Sequence, residues 1–440
     1  MVRQSIQKIR QNSFLNASLF SGLSAISKLV SSVVIAKFVA VLLGPEGLAL
    51  IGQLNNFILL IITLGGTAFS QGIVKYIAQY SREDPQKVNA IISTGLKLVV
   101  FLSVLLGIGL ILGSTVLSSY ILFDDKYYVV FICLGFTLLL SGLNAVYSSV
   151  LNGMKEFKKF NLITILSNLF GLIVSVLFMY FGKIEGALIG LVLNQTILFL
   201  VTYWFIRNES WFGFSNYWKI PLEKKYTRDL FNYAVLALFS TILVPIVSIC
   251  IRNFIIEDWG MKNAGYYELI VRISSVSLMF FSVVISTYYI PRISEIKTVQ
   301  ELKKEVRSTY KIIIPISILA LGGLFLFREL VIKILATTDF LVITQVFIWQ
   351  TLADFFKILA QILSFILVAR AFIKLAILIE IAFNSLQLLL CYFYVPIYGY
   401  EGAIKVNTAM YVVYFLTFVL VYYYYIIPRF NSNTIKFKKV

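Results

Sequence analysis

The chain has 440 residues, 59% of them hydrophobic and 13% charged, and its mean hydropathy is +0.88. No water-soluble core can hide that much apolar surface, so composition excludes a soluble globular protein and points to an all-α integral membrane protein. The net charge of +17 calls for an acidic partner or surface, and the complete lack of histidine rules out imidazole acid/base catalysis, imidazole metal ligation and an imidazole proton relay.

Apolar stretches of about 20 residues, bounded by polar or turn-forming segments, predict about twelve transmembrane helices. In chain order they are 14–43, 47–74, 90–119, 128–152, 160–181, 185–206, 230–254, 265–290, 309–327, 342–368, 372–395 and 401–427. The first has no small-residue cleavage site before it and reads as a retained helix, not a removable leader. Cys133, Cys250 and Cys391 fall far apart within apolar stretches and read as small buried hydrophobes.

Between spans six and seven, residues 207–229 hold Trp211, Phe212, Phe214, Tyr217, Trp218 and Pro221 among several bases. This is the composition of an amphipathic segment on the inner leaflet, serving as a tether and surface anchor or as a gate. It would join an N-lobe (1–206, spans 1–6) to a C-lobe (230–440, spans 7–12). The halves repeat: shifting residues 157–200 by 216 positions aligns Lys158 with Lys374, Asn168 with Asn384, and Glu185-Gly186-Ala187 with Glu401-Gly402-Ala403. The shift carries spans 5 and 6 onto 11 and 12 in unchanged orientation. Two pseudo-symmetric six-helix lobes around a central cavity follow, related by an axis along the membrane normal.

An even number of spans puts both termini on one side. With that side cytoplasmic, basic loop residues favour the inside by about four to one, among them Arg3, Lys8, Arg10, Lys75, Arg82, Lys155, Lys158, Lys159, Arg370, Lys436, Lys438 and Lys439. The positive charge therefore faces anionic headgroups, and nucleic acid is not expected as a partner.

Six bases remain inside or at the edges of spans: Lys28, Lys37, Lys97, Arg252, Arg272 and Lys357. A charge near the bilayer centre costs at least ~2.5–3.5 kcal/mol on insertion scales, so such residues usually face a wet interior and handle a substrate or ion. Lys28 lies mid-span, where snorkelling to an interface is hard. Lys37 and Lys97 lie nearer span ends, and for them snorkelling is an equal alternative. Arg252 ends span 7 after Pro245, in a cavity or at the interface.

Polar stripes at helical spacing mark faces on several spans. They include Ser21, Ser24, Lys28 and Ser31; Ser141, Asn144 and Ser148; Asn161, Thr164, Asn168 and Ser175; Gln350, Asp354, Lys357, Gln361 and Ser364; and Glu380, Asn384 and Gln387. They line a common cavity or, for the uncharged positions, make helix–helix hydrogen bonds. Asp354 with Lys357, and Glu268 with Arg272, are spaced to neutralise each other along one helix. Glu380 has no such neighbour and reads as a third member of the Asp354/Lys357 cluster or as a protonatable coupling site.

These residues also carry a family resemblance. Lys28-LVSSVVIA-Lys37 followed by LLGPEGLAL (42–50), GIVKYIAQY (72–80), WQTLADFFK (349–357), LVARA (367–371) and the surroundings of Glu380 resemble Wzx-type polysaccharide flippases. These belong to the multidrug/oligosaccharidyl-lipid/polysaccharide exporter superfamily, and the likeness is greatest to members moving O-antigen or enterobacterial common antigen intermediates. The segment GYYELIVRISSV (265–276), with its added Arg272, departs from near relatives and leaves the glycan open.

The resemblance implies a V-shaped bundle in the bacterial inner membrane. It would move an undecaprenyl-pyrophosphate-linked oligosaccharide from the inner to the outer leaflet by alternating access, alongside other polysaccharide assembly proteins. Lys28, Arg252, Asp354, Lys357 and Glu380 match charged positions of the family; by their chemistry Lys28, Arg252, Arg272 and Lys357 would meet the pyrophosphate and Asn168 and Asn384 the glycan, with Asp354, Glu380 and Glu268 as candidates for cation coupling beside a drive by membrane potential alone. No cofactor or metal is implied. The rival on the same fold is a cation-coupled drug or small-molecule antiporter, against which the excess of intramembrane bases speaks. An enzyme is not expected, since no loop is long enough for an external catalytic domain and no nucleophile–base pair presents itself.

Overall fold

The structure, a computed structural model, describes the backbone of residues 2–81, 84–370 and 372–431, and the side chains of these except 2–19, 214, 215, 236, 239, 240, 284, 286, 287, 373 and 431. The side chains of Arg3, Lys8, Arg10, Arg82, Lys436, Lys438 and Lys439, used above for orientation, and Ala371 of LVARA lie outside the described residues. Among the described residues there is no strand.

The helices in chain order are α1 (Val2–Leu42), α2 (Gly44–Gly65), α3 (Ser70–Tyr80), α4 (Pro85–Leu112), α5 (Ser114–Leu122), α6 (Tyr128–Gly153) and α7 (Phe157–Ile206). They continue with α8 (Phe214–Lys219), α9 (Lys224–Glu295), α10 (Val299–Leu326), α11 (Arg328–Leu335), α12 (Phe347–Ala369), α13 (Ile373–Val421) and α14 (Ile427–Asn431). Among the described residues eight helices are long and apolar enough to cross a membrane, or nine with the bent pair Thr241–Val283 and Tyr288–Glu295. Phe101, Leu112, Phe136, Phe181 and Leu319 stand exposed on their outer faces, a surface suited to hydrocarbon. The chain is a multi-pass membrane protein.

Three of these helices fold back on themselves. Inside α7, Lys183 sits at φ 49°, ψ −130°; inside α9, Gly260 at φ 81°, ψ 167°; inside α13, Gly399 at φ 57°, ψ −144°. A positive φ cannot continue a right-handed helix, and side-chain contacts across each break show antiparallel arms. Asn194 lies against Gly171, Glu268 against Arg252, and Gln387 bonds Asn407. The breaks fall where the sequence separates spans 5 from 6, 7 from 8 and 11 from 12.

Lys183 and Gly399 are 216 positions apart and share nearly one backbone conformation, so the internal repeat extends to the turn geometry. The register persists beside it. A Cβ at Gly186 would stand 1.9 Å from the Phe178 carbonyl oxygen, and one at Gly402 would stand 2.7 Å from that of Tyr394, the equivalent pair 216 positions on. Glycine lets the arms meet there.

Other boundaries differ from expectation for local reasons. Span 2 ends at Gly65, because Gly66 packs between Val99 and Gly142; the short 3-10 turn Thr67–Phe69 then leads to the separate α3. Helix α4 begins earlier than expected, at Pro85, with Asp84 capping the amides of Gln86 and Lys87 at 3.1 and 3.2 Å. The Lys87 ammonium, 2.9 Å away, holds the Asp84 carboxyl below the usual carboxylate range. Thr298 likewise starts α10 early by accepting from the amide of Glu301, and the expected start of span 10 is instead the 3-10 segment Thr338–Gln345.

The chain divides into two compact units, Met1–Ile249 and Cys250–Val440, with the division inside α9. In the first, α1 lies along α7, and α4 and α7 pack on α6. The 207–229 segment is built into this unit. Tyr217 joins its buried core, Ser93 donates to the Tyr217 carbonyl at 2.7 Å, and Glu209 pairs with Lys159 at 2.6 Å. Lys97 donates to the Ile220 carbonyl at 2.5 Å and lies 5.8 Å from the Trp218 ring, so this edge-of-span base reaches the linker. In the second unit α12 packs on α13 and α10.

Candidate functional site

The second unit concentrates charge in an apolar surround. Where α9 folds back, Arg252 on the first arm and Glu268 on the second approach to 3.6 Å (Nε–Oε2), while Arg272, one turn beyond Glu268, reaches its other oxygen at 3.4 Å (Nη2–Oε1). Arg252 is 1% exposed, Glu268 8%, and the Arg272 side chain 17%. One carboxylate thus serves two guanidinium groups. Both distances exceed the ~2.7–2.9 Å of a charge-assisted hydrogen bond, and Arg252 Nε and Nη1 are buried with no hydrogen-bond partner. Arg252, whose sequence position allowed an interfacial role, is fully enclosed.

Along α12 two members of the stripe read from sequence, Gln350 and Asp354, join a hydrogen-bond network, while Gln361 bonds Ser282 apart from it. Asp354, 2% exposed, accepts from Ser274 Oγ at 2.6 Å and from Gln350 Nε2 at 2.8 Å. Gln350 Oε1 accepts from Asn407 at 3.2 Å, and Asn407 Oδ1 accepts from Gln387 at 3.0 Å. The Lys357 ammonium lies 4.8 Å from the centre of the Tyr411 ring. Glu380 accepts from the Tyr414 hydroxyl and, at 3.4 Å, from Asn384, whose amide also bonds the Glu380 carbonyl at 2.8 Å. Asp354, Lys357 and Glu380 are each partnered: Asp354 by Ser274 and Gln350, Lys357 by the Tyr411 ring, and Glu380 by Tyr414 and Asn384. A buried carboxylate with two donors and a nearby ammonium meets the conditions for remaining inside an apolar bundle.

In the first unit the charged and uncharged positions part company. Asn168 donates to Ser27 Oγ at 3.0 Å, its carbonyl accepts from Ser31 at 3.3 Å, and Asn161 donates to Ser21 at 3.1 Å. Asn144 accepts from Thr202 at 2.6 Å. These stripes bind α1 to α7 and α6 to α7, so the structure engages Asn168 in helix packing. Lys28 is exposed on α1 and has no hydrogen bond or ion pair among the described residues. Lys37, by contrast, has a partner.

Sequence reasoning missed Ser274, Asn407, Tyr411 and Tyr414. Asn407 and Ser274 are polar residues in apolar spans and were there to be found. The tyrosines had no such signal, because Tyr occurs 26 times in the chain and only the packing of α12 on α13 sets Tyr411 against Lys357, and the fold-back of α13 Tyr414 against Glu380.

Comparison with known proteins gives the family and the fold. The chain is 23% identical over 403 residues to the lipid III flippase of Escherichia coli (strain K12), covering 92% of this chain and 96% of that one. Among solved structures, an inward-facing multidrug resistance MATE family transporter of the MOP superfamily superposes with a TM-score of 0.77 at 15% identity, over 93% of this chain and 96% of that one. The lipid II flippase MurJ in an inward closed conformation superposes at 0.69 and 17% identity, over 93% and 87%. These likenesses show that the chain shares the fold of those two proteins. Residues 19–345 match the family described as polysaccharide biosynthesis protein, and the chain belongs to it.

Proposed function

We propose that the chain is a flippase moving an undecaprenyl-pyrophosphate-linked oligosaccharide, an O-antigen or related repeat unit, from the cytoplasmic to the periplasmic leaflet of the bacterial inner membrane. The observation that carries this reading is the Arg252/Arg272 pair sharing a single carboxylate inside apolar helices. Family membership and the lipid III flippase relative point to the same substrate class.

Carrying a pyrophosphate and several sugars through about 30 Å of hydrocarbon is prohibitive without a polar path. Guanidinium and ammonium groups at Arg252, Arg272, Lys357 and Lys28 supply donors for phosphate oxygens, and the amide and hydroxyl groups around Gln350 and Tyr411 suit sugar hydroxyls. Asn168 ties α7 to α1, and Asn384 bonds Glu380 within its own helix. Alternating access presents these groups to one leaflet and then the other, while the polyprenyl tail stays in lipid. Two six-helix lobes joined by residues 207–229, with both termini cytoplasmic, complete the arrangement.

A divalent head group leaving a cell that is negative inside gains about 4.6 kcal/mol per 100 mV, at ~2.3 per charge. Asp354 and Glu380 add a route for cation coupling. The assembly proteins that make and polymerise the lipid-linked unit are the expected partners, and no catalytic step is assigned to this chain.

Deletion of the gene, followed by analysis of lipid-linked sugars, tests the proposal. The expected result is accumulation of a complete undecaprenyl-pyrophosphate-linked unit on the cytoplasmic side. A normal pool of such lipids, with loss of a different export activity, would contradict it.

A further inference from the structure

The Arg252–Glu268–Arg272 arrangement has more than a structural pairing requires. A buried guanidinium with two unfilled donors, beside a carboxylate too distant to fill them, is a site short of acceptor oxygens. Glu268 is shared by Arg252 across the fold-back and Arg272 on its own arm, each on a different carboxylate oxygen, and reaches neither at the hydrogen-bond length suited to charged partners. A diphosphate offers more acceptor oxygens than a carboxylate and at least one more negative charge, and two guanidinium forks match it. Arg272 is the most exposed of the three side chains and gives the group its open side.

We infer that Glu268 is an internal competitor for substrate, holding the Arg252/Arg272 pair between transport events and yielding it to the diphosphate. The inference rests on the flippase reading above and deepens it. A carrier must release what it binds, and two buried arginines without a rival would hold a diphosphate for too long. The Glu268 carboxylate lowers the affinity and retakes the arginines as the substrate leaves.

The test uses the full chain in nanodiscs, with inorganic pyrophosphate as probe and calorimetric Kd as readout. Glu268→Gln keeps the shape and removes the charge; it should bind pyrophosphate at least 10-fold more tightly than the parent, and flip lipid-linked substrate more slowly. The Arg252→Gln/Arg272→Gln variant should bind at least 10-fold more weakly. Glu268→Asp, which withdraws the carboxylate from both arginines while keeping its charge, should fall between parent and Glu268→Gln, and serves if that variant does not fold. Weakening by the arginine changes without tightening in either Glu268 variant would overturn the competitor role and leave the flippase reading standing. Equal affinity in all variants would overturn the diphosphate site itself.

Discussion

Arg252 and Glu268 stand eight residues to either side of Gly260, and because the chain reverses there, this equal spacing sets their charges 3.6 Å apart. At 1.5 Å per residue both lie about 12 Å along their arms from the turn. One glycine at φ 81° thereby determines the pairing of two buried charges.

The sharing of Glu268 makes the two partners unequal. Arg252→Leu leaves Glu268 its contact with Arg272 and should cost about 1–3 kcal/mol. Glu268→Leu strands two guanidinium groups in an apolar surround and should cost about 3–5 kcal/mol, the usual toll for breaking a buried pair. Thermal unfolding of the detergent-solubilised variants checks the order. A larger loss in Arg252→Leu would mean that Glu268 depends chiefly on Arg252.

The turns of α7 and α13 rest on close backbone approach. A Cβ at position 186 meets a carbonyl oxygen at 1.9 Å, with no flexible side chain to move aside. Gly186→Ala should therefore destabilise by about 3 kcal/mol, at the upper end of overpacking costs, and Gly402→Ala by about 1–2 kcal/mol. Lys183 holds at φ 49° the conformation that Gly399 adopts freely, so Lys183→Gly should stabilise by about 1 kcal/mol. Melting temperatures of the three variants, two falling and one rising, check the set.

Asn168 binds α1 to α7 through Ser27 and Ser31. Asn168→Leu should lower stability by about 0.6–2 kcal/mol, the range for polar contacts between membrane helices, and leave the rate of flipping within twofold. Adding Ser27→Ala should cost little more, since its partner has already gone. A tenfold loss of transport in a fully stable Asn168→Leu protein would assign this amide to the glycan instead.

Lys97 and Ser93 clasp the 217–220 backbone to α4. Lys97→Met should loosen residues 207–229 while the helical core stays folded. Limited trypsin digestion reads this directly, through faster cleavage at Lys219, Lys224 and Lys225 than in the parent. An unchanged cleavage rate would show that the aromatic contacts of Tyr147 with Trp211 and Phe212 suffice to hold the segment.

Much of this was readable in the sequence because hydropathy and helical spacing carry it. The Asp354, Lys357 and Gln350 stripe needed only a period of 3.6 residues, and the 216-residue repeat found by matching Glu185-Gly186-Ala187 with Glu401-Gly402-Ala403 carries through to the backbone angles at Lys183 and Gly399. What the spacing along one helix cannot give is the partner on the next. Glu268 is spaced to meet Arg272 at four residues, yet its second partner, Arg252, comes across a reversal; for Asn168 the spacing leaves a cavity and a helix contact equally open, and its bond to Ser27 comes from another helix. Lys97 reads the same way in sequence whether it meets substrate, lipid headgroup or, as here, a backbone carbonyl.

Reconstitution tests the central claim most directly. The purified protein in liposomes carrying a labelled undecaprenyl-pyrophosphate-linked oligosaccharide should bring the sugar within reach of a membrane-impermeant glycosidase. The rate should rise with membrane potential and fall at least 10-fold when Lys28, Arg252 and Arg272 are neutralised together in a variant that remains folded. A rate no greater than that of protein-free liposomes, or one indifferent to those three charges, would contradict the account.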